Sequence, residues 1–540
     1  MMKENSRVSL KTKYLFINSK QILPVLIGVI LISLIIFLLL YRLDNWPSVW
    51  WDEGWTLDAA RNWIMHGHLG HYLDGQTVPP RIPVRFPIVV PVTLSMKIFG
   101  IGTWQGRLPG VVFTLLSLGL TLFLGSQMYN RRTGFATLLI MLCFSPLFYN
   151  PIVMGRQILA EIPMVFYLFG GYSMVWLAMT RSPGWGVGAA LFFGVAIHAK
   201  LQVPPFWLVS MALAVWMSVY LRQRRVTRIL IGVAAGSITI AAIILFIQNM
   251  VMPGSFDDPA LIKILFNTIV LVSAWSIREA ALLFVLLFAF PQFLGFIWAG
   301  WRILQTLLVD RHTDIALSSY KEVDKNIFQA AFWGLGASWL LWYMTMGMNW
   351  ERYLFPPFLI GCIFIAAYMS ELTNNFDMRL FVRRINTLLL GREFNLINLQ
   401  SLTLLIAFSL TLGSIIKYPL TSLSIPQANP KLASTYFLNH IQAGAIVESF
   451  ESELLFLSPG IKYHFPSDLV SMQLQRRTTI DPGLTIDYDP LEAGPEYLVV
   501  GPMAGIWHLY DNVIDQGKVQ LAADIGGYQI YHFLATSSVK

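Results

Sequence analysis

Two adjacent carboxylates, Asp52 and Glu53, lie in the stretch VWWDEGW at residues 49–55. Tryptophan is typical of the boundary between lipid and water, and acidic side chains close to hydrocarbon are costly and usually serve a function. Such a pair can act as a general base, as a metal ligand or as both. The alternative is an ordinary helix N-terminus, because acidic side chains also suit the positive end of a helix dipole.

Further polar residues stand at the ends of later apolar runs. They are Arg156, Glu161, His198, Lys200, Glu351, Arg352 and Tyr353. A carboxylate that removes a hydroxyl proton, together with cations that neutralise a departing phosphate, suits group transfer from a phosphate-linked donor. Each residue also has a simpler reading. Arg156 and Lys200 could snorkel at span ends, Glu161 could begin a helix, and Arg352 could pair with Glu351.

Three histidines follow the acidic pair in the segment HGHLGH, residues 66–71. Histidines at such a spacing could ligate zinc. The glycines Gly67 and Gly70 favour a flexible turn instead, so the segment leaves both readings open.

Composition indicates a polytopic membrane protein. Of the 540 residues, 55% are hydrophobic and 13% are charged, whereas a soluble domain carries about 25% charged residues. The net charge of +8 does not imply nucleic acid. Most basic residues stand in short loops between apolar runs, where they set membrane orientation.

Length and charge parity predict about eleven spans, with residues 1–21 as a cytoplasmic tail. Two runs, 86–99 and 261–279, are read as helices lying in the membrane interface, because each is short or charged. A first outer loop then covers 42–108, and the Arg-rich loops fall inside. The predicted spans are 22–41, 109–129, 134–151, 162–179, 184–199, 204–221, 229–248, 281–301, 327–347, 355–373 and 399–417.

Residues 418–540 have the character of a separate α/β domain outside the membrane. Strand-length apolar runs at 445–450, 496–502 and 528–534 alternate with Pro, Gly and Asp turns. The segment SIPQANP, residues 424–430, is typical of a linker. The membrane domain is therefore predicted to be 22–417.

Four segments resemble the GT-C glycosyltransferases, and specifically glycosyltransferase family 39. That family includes the protein O-mannosyltransferases and the bacterial enzymes that attach aminoarabinose to lipid A. The segments are WDEGWTLDAARNWIMHGH (51–68), GRQILAEIPMVFY (155–167), GVAIHAKLQVPPFW (194–207) and NWERYLFPPF (349–358).

The resemblance implies an all-α polytopic membrane bundle with juxtamembrane helices on its outer face. It implies a polyprenyl-phosphate sugar as donor, inversion at the anomeric carbon, and a lipid, glycan or protein hydroxyl as acceptor. Asp52 becomes the candidate base with Glu53 beside it, and Glu161 takes the second acidic position. Lys200 and Arg352 would hold the carrier phosphate. Arg156, Tyr353 and His198 join them as candidates.

The resemblance leaves metal use open, and Asp52 and Glu161 are the candidate ligands of a divalent metal. Lys200 is followed by Leu201, where many members have glycine. We find no insertion of the size of the lumenal β-trefoil of the eukaryotic mannosyltransferases, which favours a bacterial or archaeal member.

Three other functions remain open. A lipid-linked glycan ligase would favour a large Arg-rich outer loop, and a transporter would favour charges at mid-membrane and inverted repeats. A degenerate scaffold whose C-terminal domain binds a partner is the third.

Overall fold

The structure is a computed structural model of the chain. It describes residues 19–251, 259–272, 274–309, 320–391, 393–422, 429–442 and 444–534. Most of the predicted cytoplasmic tail and residues 424–428 of the predicted linker lie outside these ranges.

The first part of the chain is helical and contains the membrane helices. Its elements, in chain order, are α1 (Ser19–Leu40), α2 (Trp51–His66), β1 (His71–Leu73), β2 (Gln76–Val78), α3 (Phe86–Phe99), α4 (Thr103–Met128), α5 (Arg131–Cys143), α6 (Pro151–Met154), α7 (Glu161–Thr180), α8 (Trp185–Ala199), α9 (Val203–Tyr220), α10 (Arg224–Val251), α11 (Pro259–Leu265), α12 (Trp275–Phe288), α13 (Phe290–Val309), α14 (Tyr320–Thr345), α15 (Phe355–Leu372), α16 (Met378–Leu389) and α17 (Leu396–Ser422).

Six helices of the described ranges are long and apolar enough to cross a membrane: α4, α7, α9, α10, α17 and α15 with the turn before it. A seventh results if α11, the turn after it and α12 form one bent span. Ten of the eleven predicted spans coincide with a helix or a helix pair, but several helices, such as α5 with 13 residues and α8 with 15, are short. An unbroken crossing needs about 20 residues. The chain is a multi-pass membrane protein.

Two predicted boundaries are wrong. The span predicted at 134–151 ends as a regular helix at Cys143 and continues as a 3₁₀ turn and the short α6, each beginning at or after a proline, Pro146 or Pro151. The run predicted as one interfacial helix at 261–279 is divided: α11 leads into a π-helical turn, Phe266–Val270, and α12 begins separately at Trp275. Arg278 is accommodated inside α12 because it donates to the backbone carbonyls of Tyr343 and Gly347.

The last part of the chain is an α/β unit. Its elements are α18 (Pro430–His440), β3 (Ile446–Ser449), α19 (Ser452–Leu457), β4 (Lys462–His464), α20 (Asp468–Thr479), β5 (Tyr497–Val500), α21 (Pro502–Trp507), α22 (Asp511–Asp515), β6 (Val519–Ile525) and β7 (Tyr528–Phe533). The sheet order is β4-β3-β5-β7-β6. The pairs β4–β3 and β3–β5 are parallel, and β5–β7 and β7–β6 are antiparallel. The three predicted strands match β3, β5 and β7, whereas β4 and β6 were not predicted.

Two apolar cores hold the molecule together. The larger lies within the membrane bundle around α15, whose side chains are almost all buried. The second is shared between the first loop and the C-terminal unit, and it contains Leu57 of α2, Val89 of α3, Phe437 of α18 and Val447 of β3. Because this core draws on both parts, the C-terminal unit is packed onto the first loop.

The tryptophan-rich helix α2 makes that contact. Trp51 donates its indole N–H to the carbonyl of Phe450 at 2.6 Å, and Arg61 donates to the carbonyls of Leu455 and Phe456 at 3.1 and 3.0 Å. Trp55 is 2% exposed, against Phe465. Trp51 and Trp55 therefore pack against protein, which corrects the expectation that these tryptophans mark the lipid boundary.

Gly54 sets the distance between α2 and α19. A Cβ at this position would lie 2.4 Å from the backbone nitrogen of Glu453. Burial raises the pKa of the Glu453 carboxyl, and Tyr528 donates a hydrogen bond to that carboxyl at 2.7 Å. Contact this close requires a residue without a side chain at position 54.

We predict that Gly54→Ala destabilises the protein by about 1–3 kcal/mol, because backbone must move to admit the methyl group. Thermal unfolding in detergent measures the effect. Gly119→Ala is the matched control, since nothing lies within 4 Å of its Cβ and it also stands in a helix. Equal unfolding temperatures for the two variants would contradict the close packing of α2 on α19.

Candidate active site

A cavity of about 850 Å³ lies between the membrane bundle and the C-terminal unit. Its lining comes from three regions. The first loop supplies residues from α2 and the segment before α3. The bundle supplies the start of α7, the end of α8 and the turn before α15, and the C-terminal unit supplies α20 and α21. A pocket between packed layers of one chain is a common position for a ligand site.

Asp52 and Arg352 meet in this cavity. The Arg352 guanidinium donates to the Asp52 carboxylate through Nη1, although the two residues are 300 positions apart. Both side chains are partly accessible, at 16% and 25% exposure. Arg352 also lies over the Trp350 ring, with 4.8 Å between its Cζ and the ring centroid. It does not pair with Glu351, so the simpler reading of Arg352 is wrong.

A second ion pair lies beside the first. The Lys200 ammonium donates to Glu161, whose carboxylate is 1% exposed, and the Arg352 Nε lies 3.8 Å from the same oxygen. Lys200 also lies 5.0 Å from the centroid of the Tyr353 ring. Asp52, Glu161, Lys200 and Arg352 thus form one four-membered charge cluster, with Tyr353 against it.

The fold places each member at the start or end of a helix. Asp52 is in the first turn of α2, Glu161 is the first residue of α7, and Lys200 directly follows α8. Arg352 and Tyr353 lie in the 3₁₀ turn that leads into α15, where Pro356 and Pro357 begin the helix. Since charges inside hydrocarbon are expensive, helix ends are where a membrane bundle can hold four of them.

Glu53 does not share this cavity. Its carboxylate is fully buried and receives two hydrogen bonds from Arg107, at 2.6 and 2.7 Å, and further ones from the backbone N–H groups of Trp50 and Ile158. Arg107 in turn donates to the carbonyls of Leu43 and Pro47. Glu53 therefore has the alternative role, that of an acidic residue at a helix N-terminus. Its carboxylate accepts a hydrogen bond from the backbone N–H of Trp50, which closes the first turn of α2.

Arg156 and His198 also lie apart from the charge cluster. The Arg156 guanidinium donates to the backbone carbonyls of Leu38, Tyr41 and Trp46, which fastens the end of α1. His198 is bonded through Nε2 to Gln248 at 2.6 Å. Neither residue lines the cavity.

The three histidines of residues 66–71 do not converge. His71 is buried against Asp58, with 2.8 Å between Nδ1 and Oδ2, and His68 Nε2 lies 3.3 Å from the carbonyl of Val78. Among the described residues no group of three His, Cys, Asp or Glu side chains could hold a metal. Asp52 and Glu161 do not fit a divalent cation either, because each already faces a basic side chain.

Sequence reasoning missed Arg107 and the cavity wall made by α20. Arg107 is an isolated arginine just before a predicted span. Its role becomes apparent only from its partner Glu53, which is 54 positions away in the chain. Asp468 at the start of α20 accepts from the N–H of Ile82 at 3.2 Å, and burial raises the pKa of its carboxyl. Nothing in the local pattern of α20 indicates that it faces a membrane domain.

Breaking the Glu53–Arg107 pair is predicted to be costly, because either partner alone leaves a buried charge unpaired. We expect Glu53→Gln or Arg107→Met to lower unfolding stability by about 3–5 kcal/mol each, and the double variant to lose less than their sum.

The exposed pair Arg302–Glu371, at 3.7 Å, is the matched control. The same cycle there should give a coupling below about 1 kcal/mol. A stable Glu53→Gln protein would contradict the structural role of Glu53.

No protein-family model matches the chain, and no curated protein sequence matches it. Solved structures do. ArnT from Cupriavidus metallidurans in the apo state matches with a TM-score of 0.58 and 13% identity, over 96% of this chain and 99% of that one. The same protein bound to undecaprenyl phosphate gives 0.55 and 12%, over 94% and 98%.

A second solved protein with this likeness is AglB, the oligosaccharyltransferase of Archaeoglobus fulgidus. In complex with an inhibitory peptide and a dolichol-phosphate it matches with a TM-score of 0.51 and 12% identity, over 88% of this chain and 69% of that one. Both proteins are GT-C membrane enzymes. The chain therefore has the GT-C fold, a helical membrane bundle followed by a C-terminal unit with a β-sheet.

Proposed function

We propose that the protein is a glycosyltransferase that moves a sugar from a polyprenyl-phosphate carrier to an acceptor hydroxyl, with inversion. One observation carries the proposal: two carboxylates and two cations from four distant segments converge in a single large cavity at one end of the bundle. The likeness to ArnT, solved with undecaprenyl phosphate, and to AglB, solved with a dolichol-phosphate, supports it.

Asp52 is the proposed general base. It accepts the proton of the acceptor hydroxyl while the acceptor oxygen attacks the anomeric carbon of the donor. The bond between that carbon and the phosphate oxygen breaks, and the polyprenyl phosphate leaves with the electron pair. A single displacement of this kind inverts the anomeric centre.

Lys200 and Arg352 are the proposed phosphate ligands. Arginine presents a fork of donors that matches phosphate oxygens, and lysine acts as a compact positive charge. Both cations are balanced by Asp52 and Glu161. An arriving phosphate would take over part of that balance. This would free the Asp52 carboxylate to face the acceptor.

Glu161 and Tyr353 are proposed to position the cations. Glu161 is too deeply buried to reach an acceptor and holds the Lys200 ammonium in place, and the Tyr353 ring lies against the same ammonium. Glu53, Arg156 and His198 are left without a part in the reaction, because their polar atoms already bind other groups. No step runs through a metal.

The transfer is proposed to occur at the extracytoplasmic face of the cell membrane, with the N-terminus in the cytoplasm. Arginines stand at the start of α5 and α10 and along α16. These helices follow α4, α9 and α15, whose first turns lie near Glu53, Lys200 and Arg352 respectively. The arginines therefore belong to the other end of the bundle, as expected for cytoplasmic loops. The donor's prenyl chain would lie among membrane lipids along the bundle. The C-terminal unit would then be extracytoplasmic and would cover the reaction site.

Asp52→Asn should abolish release of undecaprenyl phosphate from undecaprenyl-phosphate mannose or aminoarabinose in detergent, because the amide cannot accept the proton. We expect a loss of at least about 10²-fold in kcat. Mass spectrometry of the lipid products measures the turnover. Asp44→Asn, at an exposed carboxylate, is the control. Normal turnover by the Asp52→Asn protein would remove Asp52 from the mechanism.

Lys200→Met should weaken binding of undecaprenyl phosphate by about 10- to 100-fold, the effect of losing one charge-assisted hydrogen bond. Calorimetric titration in detergent measures the dissociation constant. Lys263→Met, at an exposed lysine, is the control.

Lys200→Met also leaves Glu161 buried without its ammonium partner. The double variant Lys200→Met/Glu161→Gln therefore distinguishes the loss of a phosphate contact from the effect of an unpaired Glu161. Binding should stay weak in the double variant if Lys200 contacts phosphate. Recovery of wild-type affinity would show that Lys200 acts only by neutralising Glu161.

A further inference from the structure

Helix α20 presents a stripe of polar side chains to the cavity from the side of the C-terminal unit. Asp468, Ser471 and Gln475 all line the cavity and stand at positions i, i+3 and i+7, which share one face of a helix. With a rise of about 1.5 Å per residue, the stripe is about 10 Å long. It lines the same cavity as the charge cluster, from a separate layer of the fold.

Gln475 has an unmet hydrogen-bonding requirement. The residue is 2% exposed, and its amide nitrogen is buried without a partner among the described residues. Leaving a buried amide unpaired costs free energy, so native structures rarely do so without a ligand or water at that position. A cavity-lining amide in this state points to a group that binds there.

The other two residues of the stripe keep free acceptor capacity. Ser471 donates its hydroxyl hydrogen to the carbonyl of Ser467 at 2.9 Å, so its oxygen can still accept a bond. Asp468 accepts from Ile82 and lies 3.5 Å from Arg81, and carboxylates can accept several bonds at once. The stripe thus offers one amide donor and two acceptors.

The stripe suits a polyhydroxyl ligand rather than a phosphate. It contains no cation, and its one charged member, Asp468, is a carboxylate that already pairs with Arg81. The stripe therefore offers no group that would bind an anion. Apolar and aromatic side chains flank it, among them Met472, Met503 and Trp507. Hydroxyl groups both donate and accept, and the carbon–hydrogen face of a sugar ring packs well on apolar surfaces, which is the usual composition of a small-molecule site.

We propose that Asp468, Ser471 and Gln475 form a glycosyl-binding subsite, in which the Gln475 amide donates to a sugar hydroxyl. The inference rests on the proposed function, because the sugar belongs to the donor or to the acceptor of that reaction. The membrane side of the cavity then carries the chemistry, and the C-terminal unit recognises the sugar.

The test uses the full-length protein in detergent and the variant Gln475→Met, which keeps the length of the side chain and removes its hydrogen bonds. Gln520→Met, on an exposed position of β6, is the matched control. Dissociation constants are measured for bare undecaprenyl phosphate and for undecaprenyl-phosphate mannose and aminoarabinose. The KM for acceptor is measured in the transfer reaction, with lipid A and a serine-containing peptide as acceptors.

A loss of about three- to tenfold that affects only the sugar-bearing lipids supports the subsite and assigns it to the donor. An equal rise in the acceptor KM, with donor binding unchanged, supports it and assigns it to the acceptor.

Unchanged values in both measurements overturn the proposal. So does an equal loss for bare and sugar-bearing lipids, which would indicate a structural role for Gln475. Failure of the proposed function is distinguishable, because it appears as absence of turnover in the wild-type protein, whereas the binding comparison still tests the subsite.

Discussion

The arrangement of the site depends on the first turn of α2, whose two acidic residues, Asp52 and Glu53, point in different directions. Successive residues of an α-helix point about 100° apart, so Asp52 and Glu53 cannot face the same partner. Glu53 is directed into the protein, where Arg107 and two backbone N–H groups neutralise it. Asp52 is directed into the cavity towards Arg352. The buried pair fixes the rotation of α2, and the rotation of α2 decides where the Asp52 carboxylate lies.

The charges of the cluster are also neutralised within the protein. Two anions and two cations from α2, α7, α8 and the turn before α15 sum to zero. A neutral set tolerates low dielectric far better than any single member, because each charge is paired within the cluster. The pairing also keeps Lys200 and Arg352 at the same side of the cavity, so the phosphate of the proposed donor would meet preformed positive charge. Preorganisation of this kind would avoid reordering at the moment of the proposed reaction.

Much of this arrangement could be predicted from the sequence, and the exceptions share one cause. Apolar run lengths placed ten of the eleven predicted spans on a helix or a helix pair. The positions at span ends singled out Asp52, Glu161, Lys200, Arg352 and Tyr353, which meet in the structure. The same reasoning could not separate Asp52 from Glu53, or foresee that Arg156 would bind the carbonyls of α1. Those outcomes depend on partners more than 50 residues away, and local spacing contains no information about them.

The contribution of the C-terminal unit to the cavity is the feature that local sequence patterns indicate least. Its strands are short, and α20 reads as an ordinary solvent-facing helix. Its position instead follows from Gly54, where the absence of a side chain lets α19 approach α2, and from the core that α18 and β3 share with α2 and α3. This packing places α20 in the wall of the cavity that contains the charge cluster. A bundle alone would leave that cluster open to water, which weakens every electrostatic interaction within it. Closing the cavity with a separate layer therefore serves the cluster's electrostatics.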